Sequence, residues 1–228
     1  VICLCLQPRS VSEAGRLLES STGPACAVEL RLDGMETPAV EGILPVRGRT
    51  VIVTIRKREE GGAFRGTEEE RLRVLAGAVR LGADYVDLEL SAGEKAAGGL
   101  REEIARRGGQ TKLILSFHDF SGTPAPETLR GIVLDARRMG ADVVKTAVTA
   151  RSLEDNLALI DLLRFGAARG IPMAAHCMGE AGRLSRAAAP LFGSLFSYAA
   201  PSRGKETAPG QFTAHEMTVL GRLLGYEP

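Results

Sequence analysis

Gly140-Ala141-Asp142-Val143-Val144-Lys145-Thr146-Ala147-Val148 opens as a glycine turn and continues as a short β-branched run. Residues 152–169 then carry Leu and Ala at helical spacing, and a second apolar run follows at 172–177. A short apolar run, a helix and another short apolar run form a βαβ unit, which requires parallel strands. The same turn recurs as Gly82-Ala83-Asp84 ahead of a run at 85–90. Outward from this unit the alternation reaches both ends of the chain. Strands are predicted at 2–6, 25–32, 50–56, 85–90, 113–118, 143–148, 172–177 and 195–199. Helices are predicted at 12–20, 67–81, 93–107, 126–139, 152–169, 180–189 and 213–224, and the second unit has the weakest helix. Thr67 with Glu70, and Ser152 with Asp155, supply capping chemistry at two helix starts. Eight units in 228 residues come to about 28 residues each, the size of a compact α/β (βα)8 TIM barrel forming a single domain over 1–228. An open doubly wound sheet would need a glycine-rich turn after an early strand. The turn after Leu6 is instead Gln7-Pro8-Arg9-Ser10.

The composition narrows the function classes. Lys plus Arg number 29 and Asp plus Glu 28, with seven Phe, three Tyr and no Trp. That near-neutral balance argues against a nucleic-acid binder of the basic kind. Apolar residues at 44% and charged residues at 25% describe an ordinary globular chain. No apolar run is long enough for a membrane span, and the first residues lack a charged leader, so a cytoplasmic protein with no membrane partner is expected. Cys3, Cys5, Cys26 and Cys177 show no C-x-x-C pairing, so neither a disulfide framework nor a metal site is expected.

Parallel barrel strands are covered on both faces, so every ionisable residue in them needs a reason. Glu29, Arg31 and Asp33 alternate along the second strand and share one face. Arg56 closes the third, Asp87 and Glu89 share a face of the fourth, His118 ends the fifth, and Lys145 lies inside the sixth. They gather toward the C-terminal ends of the strands, the catalytic rim of a barrel. A lysine stripped of hydration has a lowered pKa, and the neutral amine can attack a carbonyl to give a Schiff base. His118 is either a hydrogen-bonded structural residue or the proton shuttle such chemistry needs. The Glu29/Arg31/Asp33 ladder and the Asp87/Glu89 pair read equally as ion-pair networks. The segment Arg56-Lys57-Arg58-Glu59-Glu60-Gly61-Gly62 reads as solvated surface, unless its glycines turn Arg56 and Glu60 toward the rim. Met178-Gly179-Glu180, with Ser185 and Arg186, resembles a glycine turn opening a helix that binds an anion. Residues 202–211 are long and polar enough to form a lid.

Taken in order, these residues resemble the type I 3-dehydroquinate dehydratase family. The carriers are Glu29-Leu30-Arg31-Leu32-Asp33, Thr54-Ile55-Arg56 with Glu60-Gly61-Gly62, Asp87-Leu88-Glu89-Leu90 and Ser116-Phe117-His118-Asp119. Lys145, Met178-Gly179 with Ser185-Arg186, Phe192-Gly193-Ser194 and Ala208-Pro209-Gly210-Gln211 complete the set. The resemblance implies that Lys145 forms an imine with the ketone of 3-dehydroquinate. It implies that His118 removes the α-proton and returns a proton to the departing hydroxyl, with Glu60 orienting the imidazole. Arg186 would pair with the substrate carboxylate, while Glu29, Arg31, Arg56 and Gln211 would hold ring hydroxyls and order the lid. The products would be 3-dehydroshikimate and water, formed in the shikimate pathway without metal or cofactor by a homodimer. Thr207 stands where the family commonly has serine and keeps the hydroxyl, so it joins the substrate-binding set. Phe117 replaces a more polar residue or tyrosine and is expected to alter the packing behind the imidazole. His176 and Cys177 have no role under the resemblance and are read as packing. A different Schiff-base barrel of the aldolase or transaldolase type, with a phosphate site near the last strands, is the competing enzyme reading. A binding barrel without chemistry is the non-enzymatic one.

Overall fold

The computed structural model describes residues 1–21 and 27–226. Ala25 and Cys26, at the expected start of the second strand, lie outside the described residues. The strands are β1 (Ile2–Leu6), β2 (Ala27–Arg31), β3 (Thr50–Thr54), β4 (Tyr85–Glu89), β5 (Lys112–Asp119), β6 (Val143–Thr149), β7 (Met173–Met178) and β8 (Ser197–Ala199). The helices are α1 (Val11–Ser20), α2 (Glu68–Arg80), α3 (Gly93–Arg106), α4 (Pro126–Arg138), α5 (Leu153–Ala167), α6 (Arg183–Ala188) and α7 (Ala214–Leu224). All strands run parallel in the order β7-β6-β5-β4-β3-β2-β1-β8. A single bridge, Met173 to Ser194, with the Leu195 N–H donating to the Met173 carbonyl at 2.7 Å, draws β7 toward the start of β8 and nearly closes the barrel. The barrel rather than the open sheet is therefore the fold.

The repeated Gly-Ala-Asp turn has a structural purpose. Gly82 and Gly140 both hold positive φ, which ends the preceding helix at no steric cost. The aspartate that follows then reaches the neighbouring strand. Asp84 Oδ2 accepts the Val51 N–H at 2.8 Å, and Asp142 Oδ2 accepts the Leu113 N–H at 2.8 Å. Each carboxylate thus satisfies a backbone donor at the second residue of the neighbouring strand. Thr67 and Glu70 form the expected reciprocal cap on α2, and Asp155 accepts the Ser152 N–H at 3.1 Å at the start of α5.

Several boundaries shift for physical reasons. Leu32 and Asp33 leave the second strand for a 3-10 turn, Leu32–Gly34, and no α-helix joins β2 to β3. Pairing of β3 stops at Thr54, so Arg56 lies beyond the strand rather than closing it. The helix expected over 180–189 is broken into a 3-10 turn, the short α6 and a second 3-10 turn.

Strand parity divides the core. Val28, Leu30, Val53, Val86, Leu88, Leu113, Leu115, Val144 and Val148 pack against the helices. The alternate residues point into the barrel. At its lower end these are apolar, with Cys3, Ala27, Ile52, Ile114, Val143, Ala174 and Phe196 forming an inner plug. Above the plug the same inward register carries Glu29, Asp87, Ser116, Lys145 and His176. The described cysteines, Cys3, Cys5 and Cys177, are buried free thiols. No helix among the described residues is long and apolar enough to cross a membrane. Because Ile114 is fully buried within the plug, Ile114→Ala is expected to cost about 2–5 kcal/mol. The measurement is a lowered urea midpoint at unchanged slope, and a loss below about 1 kcal/mol would mean that the plug is poorly packed.

Candidate active site

Lys145 is in the middle of β6, on the inward parity, and is buried. Its Nζ lies 2.9 Å from Glu29 Oε1 and 3.0 Å from Asp87 Oδ2. Thr54 Oγ1 donates to the same Glu29 oxygen at 3.0 Å, and Ser116 Oγ donates to Asp87 Oδ1 at 2.6 Å. Burial alone pushes the lysine pKa down, but Asp87 and Glu29 more than reverse it, and the net direction is upward. This corrects the expectation of a neutral amine in hydrocarbon surroundings. The resting group is an ammonium in a cradle of carboxylates. Asp87 moves the other way: burial pushes it up, Arg56 and Lys145 pull it down more strongly, and it stays ionised well below the usual carboxylate range.

Arg56 organises that cradle. Its Nη2 is 2.8 Å from Asp87 Oδ1, and its Nη1 is 3.1 Å from Glu89 Oε1 and donates to Ser116 Oγ at 2.7 Å. Glu89 is also held by the Lys57 N–H at 2.9 Å and by the buried Arg71 of α2. The charged segment after β3 is therefore not simple solvated surface, because its first residue is drawn inside. Gly62 permits this, since a Cβ there would sit 2.0 Å from the Arg56 carbonyl oxygen. Gly61, at φ 76°, ends the 3-10 turn Arg58–Glu60 and turns Glu60 inward. Glu60 Oε2 lies 2.9 Å from His118 Nδ1, and its other oxygen accepts from Ser91 Oγ at 2.6 Å.

His118 stays neutral at physiological pH, because burial, followed by Arg56 and Lys145, holds it well below its ordinary value of 6.5. A neutral ring that donates from Nδ1 to Glu60 keeps the Nε2 lone pair free as a base. Phe117 points away from the imidazole and packs against the helix-facing core. That corrects the expectation that it shapes the packing behind the ring.

Arg31 pairs with Asp33, Nε to Oδ1 at 2.8 Å and Nη2 to Oδ2 at 3.0 Å. The second-strand ladder thus splits into an ion pair, whose Asp33 also accepts the Ala63 N–H at 3.1 Å, and a glutamate committed to Lys145. Arg186 is 4% exposed and has no carboxylate partner among the described residues. Its Nε has no hydrogen-bond partner, and its Nη2 donates to the Pro209 carbonyl at 3.2 Å. Burial brings Arg186 down to about 10, which leaves it charged at neutral pH. A buried, uncompensated guanidinium is costly unless an anion completes it. Of the expected anion site, the Gly179 N–H is already used, donating to Pro209 O at 3.1 Å, while the Arg186 guanidinium keeps an unpaired donor.

The loop that supplies Pro209 seats over β7. Gly210, at φ 73°, approaches Gly179 so closely that a Cβ would fall 2.2 Å from its carbonyl oxygen. Gln211 Oε1 accepts the Thr207 N–H at 2.8 Å, and its Nε2 donates to Cys5 Sγ at 3.3 Å. Glu29, Arg31, Arg56, Glu60, His118, Lys145, Arg186, Thr207 and Gln211 all line one cavity at the C-terminal mouth of the barrel. That cavity is also lined by His176, Met178 and Tyr198, which sequence reasoning did not place there. For His176 this corrects the reading as packing, whereas Cys177 does pack outward into the core. The missed signal was strand parity: Ala174, His176 and Met178 alternate inward along β7. Nothing in the sequence separates the buried Arg71 from its exposed neighbour Arg73. Among the described residues no group of three or more His, Cys, Asp or Glu side chains is arranged to hold a metal ion.

A polar, catalytically equipped cavity where the strands of a parallel barrel end is the mark of a (βα)8-barrel enzyme. Residues 2–227 match the family described as type I 3-dehydroquinase. The chain is 39% identical over 218 residues to the 3-dehydroquinate dehydratase of Desulfotalea psychrophila, covering 95% of this chain and 94% of that one. It is likewise 39% identical over 236 residues to the 3-dehydroquinate dehydratase of Syntrophobacter fumaroxidans, covering 99% and 97%. The crystal structure of 3-dehydroquinate dehydratase from Geobacillus kaustophilus superposes with a TM-score of 0.88 at 28% identity, covering 98% of this chain and 90% of that one. The chain therefore belongs to the type I 3-dehydroquinase family, and it is a hydro-lyase. The geometry around His118 predicts that its imidazole titrates below 6.5 in the free protein, followed by ring-proton NMR. Lys145→Met, which removes a neighbouring cation, is expected to raise that value, and an unchanged titration would contradict the electrostatic account.

Proposed function

We propose that the protein converts 3-dehydroquinate to 3-dehydroshikimate and water through an imine on Lys145. The observation that carries this reading is one cavity holding a buried lysine, a neutral histidine and an arginine without a counter-ion. The substrate carboxylate supplies the missing anion, and Arg186 holds it with two parallel hydrogen bonds. Fixing that end of the molecule sets the ketone against Lys145 and the adjacent carbon against His118.

The lysine nitrogen must lose a proton before it can attack. Glu29, hydrogen-bonded to it at 2.9 Å, is placed to take that proton. Attack on the carbonyl carbon and loss of the carbonyl oxygen as water give a protonated imine, whose positive charge draws electrons from the neighbouring C–H bond. His118 Nε2 removes that proton to form an enamine, while Glu60 accepts from Nδ1 and steadies the imidazolium. The enamine electrons then expel the β-hydroxyl, which leaves as water with the proton returned from His118. Hydrolysis of the conjugated imine releases the product and restores the lysine. Arg31 and Arg56 are already committed to Asp33 and to the Asp87/Glu89 pair, so in this reading they contact ring hydroxyls with the edges left free. Gln211 and Thr207 order the loop over the bound ring.

The aldolase-type alternative needs a phosphate site near the last strands. The Gly179 N–H donates to Pro209, and the lone guanidinium of Arg186 suits a planar carboxylate. We infer from the family resemblance that the reaction serves the shikimate pathway and that the protein works in the cytoplasm as a homodimer.

Borohydride added with 3-dehydroquinate is expected to fix a covalent adduct on the Lys145 peptide, read by mass spectrometry. Lys145→Ala should abolish formation of the conjugated enone followed by ultraviolet absorbance, and an active Ala variant would overturn the mechanism. Arg186→Met is expected to raise KM by about 10- to 100-fold, the loss of a charged hydrogen-bonded pair. A KM within twofold of the parent would remove the carboxylate assignment.

A further inference from the structure

Tyr198, in β8, takes no step in the mechanism above, yet its ring lies against the reactive amine. Lys145 Nζ is 4.0 Å from the ring centroid. The ring is held from two sides, by Phe196 at 6.2 Å between centroids and 58° between planes, and by His176 at 5.9 Å and 50°. Phe196 is itself braced edge-on by Tyr85 at 5.3 Å and 89°. The apolar plug of the barrel thus fixes the plane on which the ammonium rests. The Tyr198 hydroxyl is buried and has no hydrogen-bond partner, so its ring, not its hydroxyl, acts on Lys145.

We infer that Tyr198 is a positioning residue whose ring face stabilises the positive charge on Lys145 as the amine becomes a protonated imine. The inference rests on the imine reading of the preceding subsection. The physical reason lies in the count of hydrogens on nitrogen. An ammonium carries three N–H bonds and serves Glu29 and Asp87 together. A protonated imine formed on the same nitrogen keeps one, so one of the two carboxylate hydrogen bonds is lost as the covalent bond forms. The attraction of a cation to a ring face needs no hydrogen, and it is strongest where water is excluded. Tyr198 therefore supports the charge when hydrogen bonding weakens, which makes its effect larger on the imine than on the resting lysine.

The test replaces Tyr198 by Phe, by Leu, and by 3,4,5-trifluorophenylalanine, which keeps the phenylalanine shape but drains the ring face of negative charge. Each is assayed for kcat, for KM and for borohydride trapping of Lys145 with 3-dehydroquinate. Tyr198→Phe should keep kcat within about twofold, while the trifluoro ring should lower kcat about tenfold relative to Phe, with KM little changed. Tyr198→Leu should fall at least as far, and the trapped fraction should fall with kcat in both. The trifluoro and Phe forms share a shape, so this comparison stands even if the Leu variant folds poorly. Equal kcat and equal trapping in those two forms would overturn the ring's role while leaving the imine intact. Absence of any Lys145 adduct in the parent protein would instead overturn the imine reading itself.

Discussion

A positive charge confined inside a barrel must find its counter-charges there. That constraint on Lys145 orders most of the upper interior. Glu29 comes from β2 and Asp87 from β4, and each must be held against repulsion from the other while both face one nitrogen. Thr54, Ser116 and Arg56 do the holding, and Arg56 in turn needs Glu89, which needs Lys57 N–H and Arg71. The network reaches from the barrel axis to the outer helix layer without leaving a buried carboxylate unpaired. Such pairing offsets the desolvation of its members. Its stronger effect is to hold the amine in one place.

The arrangement also separates two tasks. Lys145 is surrounded by negative groups that keep it protonated at rest. His118 is kept unprotonated first by its burial, with the cations of Arg56 and Lys145 adding to it. Two titratable groups of one cavity whose pKa values move in opposite directions, the lysine raised by Asp87 and Glu29 and the histidine lowered by burial, make an acid–base pair from ordinary side chains. Arg186 stands outside this balance, with a burial cost that no side chain among the described residues offsets.

Much of this is legible in the amino-acid sequence. The βα alternation gives the barrel because covered parallel strands leave little choice of residue, and ionisable groups in them stand out against Val, Ile and Leu. Lys145, His118 and Glu29 were visible for that reason. The protonation state of Lys145 was not, because it depends on partners 116 and 58 positions away in the chain. Local burial argued for a neutral amine, and the fold supplied carboxylates that reversed the sign. Tyr198 and His176 were hidden differently. An aromatic residue or a lone histidine in an apolar strand looks like packing until inward parity is counted along β7 and β8. Asp33 and Arg56 continue the chemical alternation of their strands past Arg31 and Thr54, where the backbone pairing ends.

The seat of the loop over the cavity has a wider implication. Where Gly210 meets Gly179, main chain lies on main chain with no side chain between them. The seam is thus a matter of backbone shape, while residues 201–205 are exposed, with Arg203 paired to Glu216 of α7 at 2.6 Å. Drift in the outer arc leaves the seam intact, whereas a single methyl at the hinge of contact would hold the door ajar.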